Sequence, residues 1–473
     1  MQNIEQIYIN GQFVTPHGSE EFALFNPTTE AMIGRVRLAD ERDAERAIAA
    51  AKAAFPAWSR TTKEERLAVL ERMYLAVQAR EADLLEAIVT EYGAPASRSQ
   101  WMATWPAQTI RQAMVTLERF EFVEQAGRAR VVMTPVGVAG LITPWNSDAG
   151  FICSKLATAM AAGCTAVIKP SEMSAWQTQI ISEALHAAGI PAGVFNIVTG
   201  RGEIVGDVIN HHPDIAKISF TGSTAVGKHI IESGAQTLKR VTLELGGKSP
   251  TVILDDADIE QAVPLALAAG FMNSGQACVA GTRILVPARR QAEFEQAIVQ
   301  AVEADYTSGD PRDPRTVIGP MVSHKQWQRV QDYIRLGQQE GARVLTGGVG
   351  RPQGMEKGWC VKPTVFSDAH NQMRIAREEI FGPVLVIIPY QDEAEAIAIA
   401  NDTAYGLSAL VLCGDRQRGT EVALAIESGR VLVNTLEHEP QAPFGGFKQS
   451  GVGREMGRWG MQAYLEPKTL LVG

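Results

Sequence analysis

Two side chains hold the clearest chemical promise in this chain, the thiol of Cys278 and the carboxylate of Glu244. Cys278 lies in Asn273-Ser274-Gly275-Gln276-Ala277-Cys278-Val279-Ala280-Gly281-Thr282-Arg283, a run of small and polar residues unlike a packed core. Glycines on both sides let a ligand approach the backbone closely. A thiol is a nucleophile only as thiolate, so a working Cys278 needs a partner that lowers its proton affinity. The alternative is an inert buried thiol, the reading given to Cys153, Cys164, Cys360 and Cys413. Glu244 ends a β-rich run just before Leu245-Gly246-Gly247-Lys248. A carboxylate lifted out of solvent there has a raised pKa, as a general base requires, although a lone Glu is often a salt-bridged surface residue.

Glycine loops give a second set of candidates. Gly200-Arg201-Gly202-Glu203-Ile204-Val205-Gly206 follows a strand and opens a helix, but its spacing is GxGxxxG, not the GxGxxG of dinucleotide sites. A structural turn explains it as well. Phe220-Thr221-Gly222-Ser223-Thr224 with Gly227 places free backbone N–H groups where a pyrophosphate could sit, with a Ser/Thr helix cap as the alternative. No metal is expected. His211 and His212 are the only close pair of histidines, there is no HExxH, and no histidine lies near a cysteine. A Cys–His dyad assembled in space stays open.

The elements that must position these residues read as two α/β layers. Residues 1–35 suggest short strands, with an Asn10-Gly11 hairpin turn. One helix is expected from an Asp40 cap to Pro56, and a second from about Lys63 to Tyr92 with Gly93 as its C-cap. From Val131 to Val252, β-rich runs (Val136–Ile142, Thr165–Ile168, Val194–Val198, Ile215–Phe220, Val241–Leu243) alternate with helical ones. That alternation implies a doubly wound parallel sheet, whose ligands sit beyond the carboxyl ends of the strands. A second alternation spans about Lys248 to Asn434, and Tyr464–Val472 reads as a terminal strand of the kind that pairs with another subunit.

Composition narrows the function classes. The 473 residues suffice for two or three domains with large cores, and 45% are hydrophobic against 21% charged. A formal net charge of −9 offers nothing to neutralise a phosphate backbone, so nucleic acid is not an expected partner. The odd, scattered cysteines argue against a disulfide framework, and no signal sequence or membrane span is legible. A cytoplasmic enzyme or binding protein is the expectation.

Taken together, seven segments resemble the aldehyde dehydrogenase superfamily over nearly the whole chain. They are Thr143-Pro144-Trp145-Asn146, Lys169-Pro170-Ser171-Glu172, Phe220-Thr221-Gly222-Ser223, Glu244-Leu245-Gly246-Gly247-Lys248, Gly275-Gln276-Ala277-Cys278, Glu378-Glu379-Ile380-Phe381-Gly382-Pro383 and Pro443-Phe444-Gly445-Gly446-Phe447-Lys448. The resemblance implies a Rossmann-like cofactor domain (1–116 and 136–246), a second α/β catalytic domain (247–447) and a β oligomerisation arm (117–135 and 455–473). It implies oxidation of an aldehyde to its acid, with Cys278 as nucleophile, Glu244 as base, Asn146 as oxyanion donor, and Lys155 and Glu455 in proton movement. A structural salt bridge explains the last two equally well. The expected cofactor is NAD, with NADP possible, held by Trp145, Lys169, Ser171, Glu172, Gly222, Ser223, Glu379 and Phe381. The carboxylate of Glu172 would repel a 2′-phosphate, which favours NAD. The expected assembly is a homodimer or homotetramer.

One departure stands out. After Asn146 the family usually continues with an aromatic and a proline, whereas this chain has Ser147-Asp148-Ala149-Gly150. The expectation is a wider, more polar substrate entrance carrying the Asp148 charge, suited to a bulky, polar or cationic aldehyde. Two rivals remain: a coenzyme-A-acylating or semialdehyde-type relative, which generally lacks the base at the Glu244 position, and a non-catalytic protein that keeps the fold.

Overall fold

The computed structural model describes residues 1–472. Its first sheet has the parallel strands Val138–Ile142, Thr165–Lys169, Phe195–Ile197, Ile215–Thr221 and Arg240–Glu244, with Val138–Ile142 between Ile215–Thr221 and Thr165–Lys169. The strand order therefore reverses at Val138–Ile142, and the crevice beyond its carboxyl end is where an open α/β sheet takes its ligand. The chain leaves that end as Thr143–Ser147, the segment with Trp145 and Asn146. All five strands lie near their expected positions, because continuous Val/Ile/Ala runs bounded by Gly, Pro and Ser mark strands buried on both faces. The hairpin Ile7–Ile9 and Gln12–Val14 turns at Asn10 and Gly11, both with positive φ, and adds to the far edge of this sheet.

The second sheet joins Thr364–Ser367, Val384–Tyr390, Arg283–Pro287, Pro250–Ile253, Ser408–Leu412 and Arg430–Val433 in parallel, with Arg343–Thr346 antiparallel at one edge. Its chemistry lies at the opposite end from the rule. Lys248, Cys278, Phe381 and Leu407 all precede their strands, so the amino ends of this sheet face the carboxyl ends of the first. The chain makes the junction directly, since Glu244 ends one sheet and Pro250 begins the other. Gly451–Val452 then returns to pair with Arg240–Glu244.

Several expectations need correction. The helix Glu41–Trp58 starts at Asp40 with a complete capping box, but it runs through Pro56. The expected helix over 63–92 is broken into Lys63–Gln78, Glu81–Ala87 and a π-turn Ile88–Tyr92, closed by Gly93 at φ 84°. No Gly or Pro marks the break at Ala79-Arg80; Arg80 there bonds Asp83 and Glu183, a contact 103 residues away that a local pattern cannot carry. The expected terminal strand spans Leu465–Leu470; one edge pairs antiparallel with Ala129–Pro135, which also pairs Val123–Ala126, and the other edge pairs no strand among the described residues. Among the described residues no helix is long and apolar enough to cross a membrane.

Candidate active site

Cys278 sits on a loop whose path is set by three successive residues with positive φ, Asn273 at 53°, Ser274 at 58° and Gly275 at 74°. Non-glycine residues reach that region at a cost, and tertiary contacts must hold them there. Those contacts are present. A Cβ on Gly275 would lie 2.1 Å from the Gly382 carbonyl oxygen, so the Cys278 loop and the Glu378–Pro383 segment touch backbone to backbone. Ser274 Oγ accepts the Gly319 N–H at 2.8 Å. Fully buried Gln276 accepts from Val322 N at 3.0 Å and donates to the Pro320 carbonyl at 3.3 Å and the Tyr92 hydroxyl at 3.4 Å. Gly247 lies against the same loop, where a Cβ would meet the Cys278 carbonyl at 2.6 Å.

Asn146 reaches this loop from the other sheet. Its Nδ2 donates to the Gln276 carbonyl at 3.0 Å, which leaves a second amide hydrogen, and Asn273 Nδ2 donates to the Asn146 carbonyl at 3.3 Å. Glu244 is almost fully buried at the end of its strand, and neither carboxylate oxygen has a hydrogen-bond partner. Burial, then the nearby Glu455, push its pKa well above the usual carboxylate value. Gly445 allows the approach, since a Cβ there would lie 2.8 Å from Glu244 Oε1. Cys278 is half-buried, and burial, Glu379 and Glu244 raise its thiol to about 12, opposed by Arg430. In the free chain the thiol is therefore protonated.

Lys155 and Glu455 form a buried ion pair, and Ser219 Oγ completes the triangle at 2.9 Å from Lys155 Nζ and 3.0 Å from Glu455 Oε1. This group lies near Glu244, because Glu455 and Lys155 both act on its charge.

The residues expected to hold the cofactor lie at or just after the carboxyl ends of the first sheet's strands, with Glu379 and Phe381 on the segment that precedes Val384–Tyr390. Lys169 Nζ donates to the Pro170 carbonyl at 2.8 Å and approaches Glu172 at 3.5 Å, while Arg201 reaches the other Glu172 oxygen at 3.4 Å. Ser171 caps the short turn Glu172–Ser174. Trp145 packs between Tyr92 and the edge of Phe381, with ring centroids 6.0 and 5.4 Å away. Glu379 Oε1 accepts the Gly247 N–H at 3.1 Å, and a Cβ on Gly246 would fall 2.4 Å from Oε2. Burial raises Glu379 to about 6.

Two sequence readings change. The Gly222 N–H is not free, since it donates to the Glu244 carbonyl at 3.0 Å, and Ser223 Oγ caps the helix Thr224–Gly234 through Val226 N. The open amides are those of the helix's first turn beyond Ser223. Asp148 carries no charge into the entrance: it is fully buried, with Thr143 Oγ1 donating at 2.6 Å and Thr178 Oγ1 at 2.9 Å. At Gly150 the space is filled by the Trp105 indole, which a Cβ there would approach within 1.9 Å. Sequence reasoning missed Gln276 as the anchor of the loop, although it lay in the quoted run, and missed Tyr92 and Ser219, which carried no local signal.

Comparison with known proteins agrees with this geometry. The sequence model of the aldehyde dehydrogenase family matches residues 13–470. The chain is 44% identical to 3-succinoylsemialdehyde-pyridine dehydrogenase of a Pseudomonas species, over all of this chain and 99% of that one. Among solved structures it resembles an aldehyde dehydrogenase C variant of Pseudomonas syringae with NAD+ and octanal at TM-score 0.97 and 44% identity, covering 99% and 96% of the two chains. A Mycobacterium tuberculosis aldehyde dehydrogenase with NAD+ gives 0.96 at 37% identity, covering 100% and 99%. A cysteine loop, a buried carboxylate and an asparagine amide meeting between two such sheets, over a match of this length, place the chain in the aldehyde dehydrogenase family.

Proposed function

We propose that the protein oxidises an aldehyde to its carboxylic acid with NAD, through a thioester on Cys278. The convergence of Cys278, Asn146 and orphaned Glu244 on one cleft is the observation that carries this reading. The donor set fits the cofactor: Lys169 and Glu172 suit one pair of ribose hydroxyls, and Glu379, with Oε1 held by Gly247, keeps Oε2 for another. Trp145, Ser171, Gly222, Ser223 and Phe381 complete the cradle, Gly222 by close packing and Ser223 by aiming the first-turn amides. Glu172 favours NAD, although Arg201 beside it softens its repulsion of a 2′-phosphate. When bound, NAD supplies the acceptor for the hydride that leaves the tetrahedral adduct on Cys278.

The chain's own groups do the rest. Glu244 takes the Cys278 thiol proton through a water and releases it towards Glu455, the thiolate so formed attacks the carbonyl carbon, and Asn146 Nδ2 with the Cys278 N–H receives the oxyanion; one such donor is worth about 10²–10³ in rate. Glu244, held above the usual carboxylate range, takes a proton from the water that hydrolyses the thioester and passes it towards Glu455 and Lys155. The presence of this base supports hydrolysis over transfer to coenzyme A. We assign cofactor binding to 1–116 and 136–246, chemistry to 247–447, and oligomerisation to an arm of 117–135 and 455–473. The exposed Val123, Leu470 and Leu471 of that arm suit a homodimer or homotetramer, and the reduced thiols suit the cytoplasm. Aldehyde-dependent formation of NADH at 340 nm is the test; Cys278→Ser must abolish it, and undiminished turnover in that variant overturns the proposal.

A further inference from the structure

Several arginines pair no carboxylate, and two of them stand close to the candidate site, where they bear on the substrate class. Arg80, Arg201, Arg290, Arg312, Arg343, Arg374 and Arg418 all hold carboxylates. Arg430 does not. Its only side-chain hydrogen bond runs from Nε to Ser408 Oγ at 3.2 Å, and its guanidinium lies 5.9 Å from the centre of the Phe444 ring. The Phe444 ring beside the guanidinium precedes Gly445, which packs against Glu244, and the strand that Arg430 opens runs beside Leu407, which with the Cys278 carbonyl flanks Gly247; the guanidinium therefore stands on the Glu244 and Cys278 side of the second sheet.

Arg98 stands on the other wall. Its guanidinium carbon lies 3.8 Å from the centre of the Trp101 ring, with Nε buried and unpartnered. Trp101 stacks on Trp105 at 5.0 Å, and Trp105 covers Gly150, one helical turn beyond Asn146. Neighbouring Tyr92 is hydrogen-bonded to Gln276 in the Cys278 loop. The acids around the nucleophile cannot neutralise these cations: Glu379 is held by Gly247 on the cofactor side, Glu244 is packed against Gly445, and Asp148 is buried between two threonines.

A guanidinium taken out of water without a partner is costly, and a carboxylate that docks on it forms a charge-assisted, bidentate pair. We propose that this enzyme takes aldehydes that bear a carboxylate at the end remote from the reacting carbon, with Arg430 as the anchor and the Arg98–Trp101–Trp105 wall flanking the body of the substrate. A cationic aldehyde, one of the classes expected from Asp148, is excluded by the same charges. This inference rests on the oxidation proposed above and names its substrate class.

The experiment measures kcat/KM with NAD for matched pairs, 4-oxobutanoate against butanal and 4-carboxybenzaldehyde against benzaldehyde. The carboxylated member of each pair is expected to lead by about tenfold or more, and Arg430→Met to cut that lead by about 30-fold or more, mostly through KM. Arg430→Lys should restore part of it, and Arg98→Met should weaken the aromatic pair more than the aliphatic one. Neutral aldehydes preferred by the unaltered enzyme, or a ratio unmoved in Arg430→Met, would overturn the inference while leaving the oxidation intact. No NADH from any of the four aldehydes would instead overturn the oxidation itself.

Discussion

Alkylation of Cys278 gives a direct measure of how the free chain holds the nucleophile proposed here. With the thiol at about 12, the thiolate fraction at pH 7.5 is about 3 × 10⁻⁵, against roughly 0.09 for an ordinary thiol of pKa 8.5. A more basic thiolate is intrinsically more reactive, by about 40-fold over that interval for a Brønsted slope near 0.45. Cys278 should therefore react with iodoacetamide about 10²-fold more slowly than a free cysteine before cofactor is added. The rate should climb tenfold per pH unit from 7 to at least 10. Intact-mass spectrometry reads the modification cleanly, since the other four thiols are buried. Glu379, raised only to about 6, is ionised at pH 7.5 and opposes the thiolate, so Glu379→Gln should speed the reaction. A plateau below pH 9 without NAD would refute the reasoning, because it would mean that the protein alone stabilises the thiolate.

Further outcomes can be checked independently. Glu244→Gln should slow thioester hydrolysis by about 10²–10⁴-fold while still allowing a first-turnover burst of NADH, with an acyl-enzyme visible by mass. Gly246→Ala should drive a methyl into the Glu379 carboxylate and raise the KM for NAD by about tenfold or more, with the thermal midpoint little changed. Arg201→Ala should leave Glu172 opposed by Lys169 alone and widen the preference for NAD over NADP, measured as a ratio of kcat/KM values.

Much of the site was legible because each motif is a strand end plus the turn that follows it. Lys169, Thr221 and Glu244 close β-rich runs, and the Gly, Pro and Ser residues after them mark where the backbone must turn. What sequence could not give is contact across the junction. Gln276 ties the Cys278 loop to 320–322 and to Tyr92, and only the folded chain brings these together. The amino-end placement of Cys278 in the second sheet was equally hidden, since a strand pattern reads the same whichever end meets a partner sheet. Arg98 and Arg430 look like any surface arginine in the sequence; their lack of a carboxylate is a property of the space around them.

Asp148 shows how a substitution can look functional in sequence and act through the fold. Its two threonine partners lie on different elements, Thr143 at the end of the strand that leads to Asn146 and Thr178 on the helix that follows Glu172. The carboxylate therefore ties the nucleophile-side loop to the cofactor-side turn. Burial raises it to about 7, and neighbouring Glu91 to about 8, above the roughly 4 of an unfolded chain. The folded state thus binds these protons more tightly than the unfolded state does. Their contribution to stability is complete below pH 4 and is lost as the pH rises through 7 and 8. Glu244 acts in the same direction. The thermal midpoint should fall from pH 5 to pH 8, and Asp148→Asn should flatten the part of that slope that lies below about pH 7. A slope unchanged in Asp148→Asn would mean that the carboxylate is already ionised in the folded protein and that Lys169, which favours its charged form, outweighs burial.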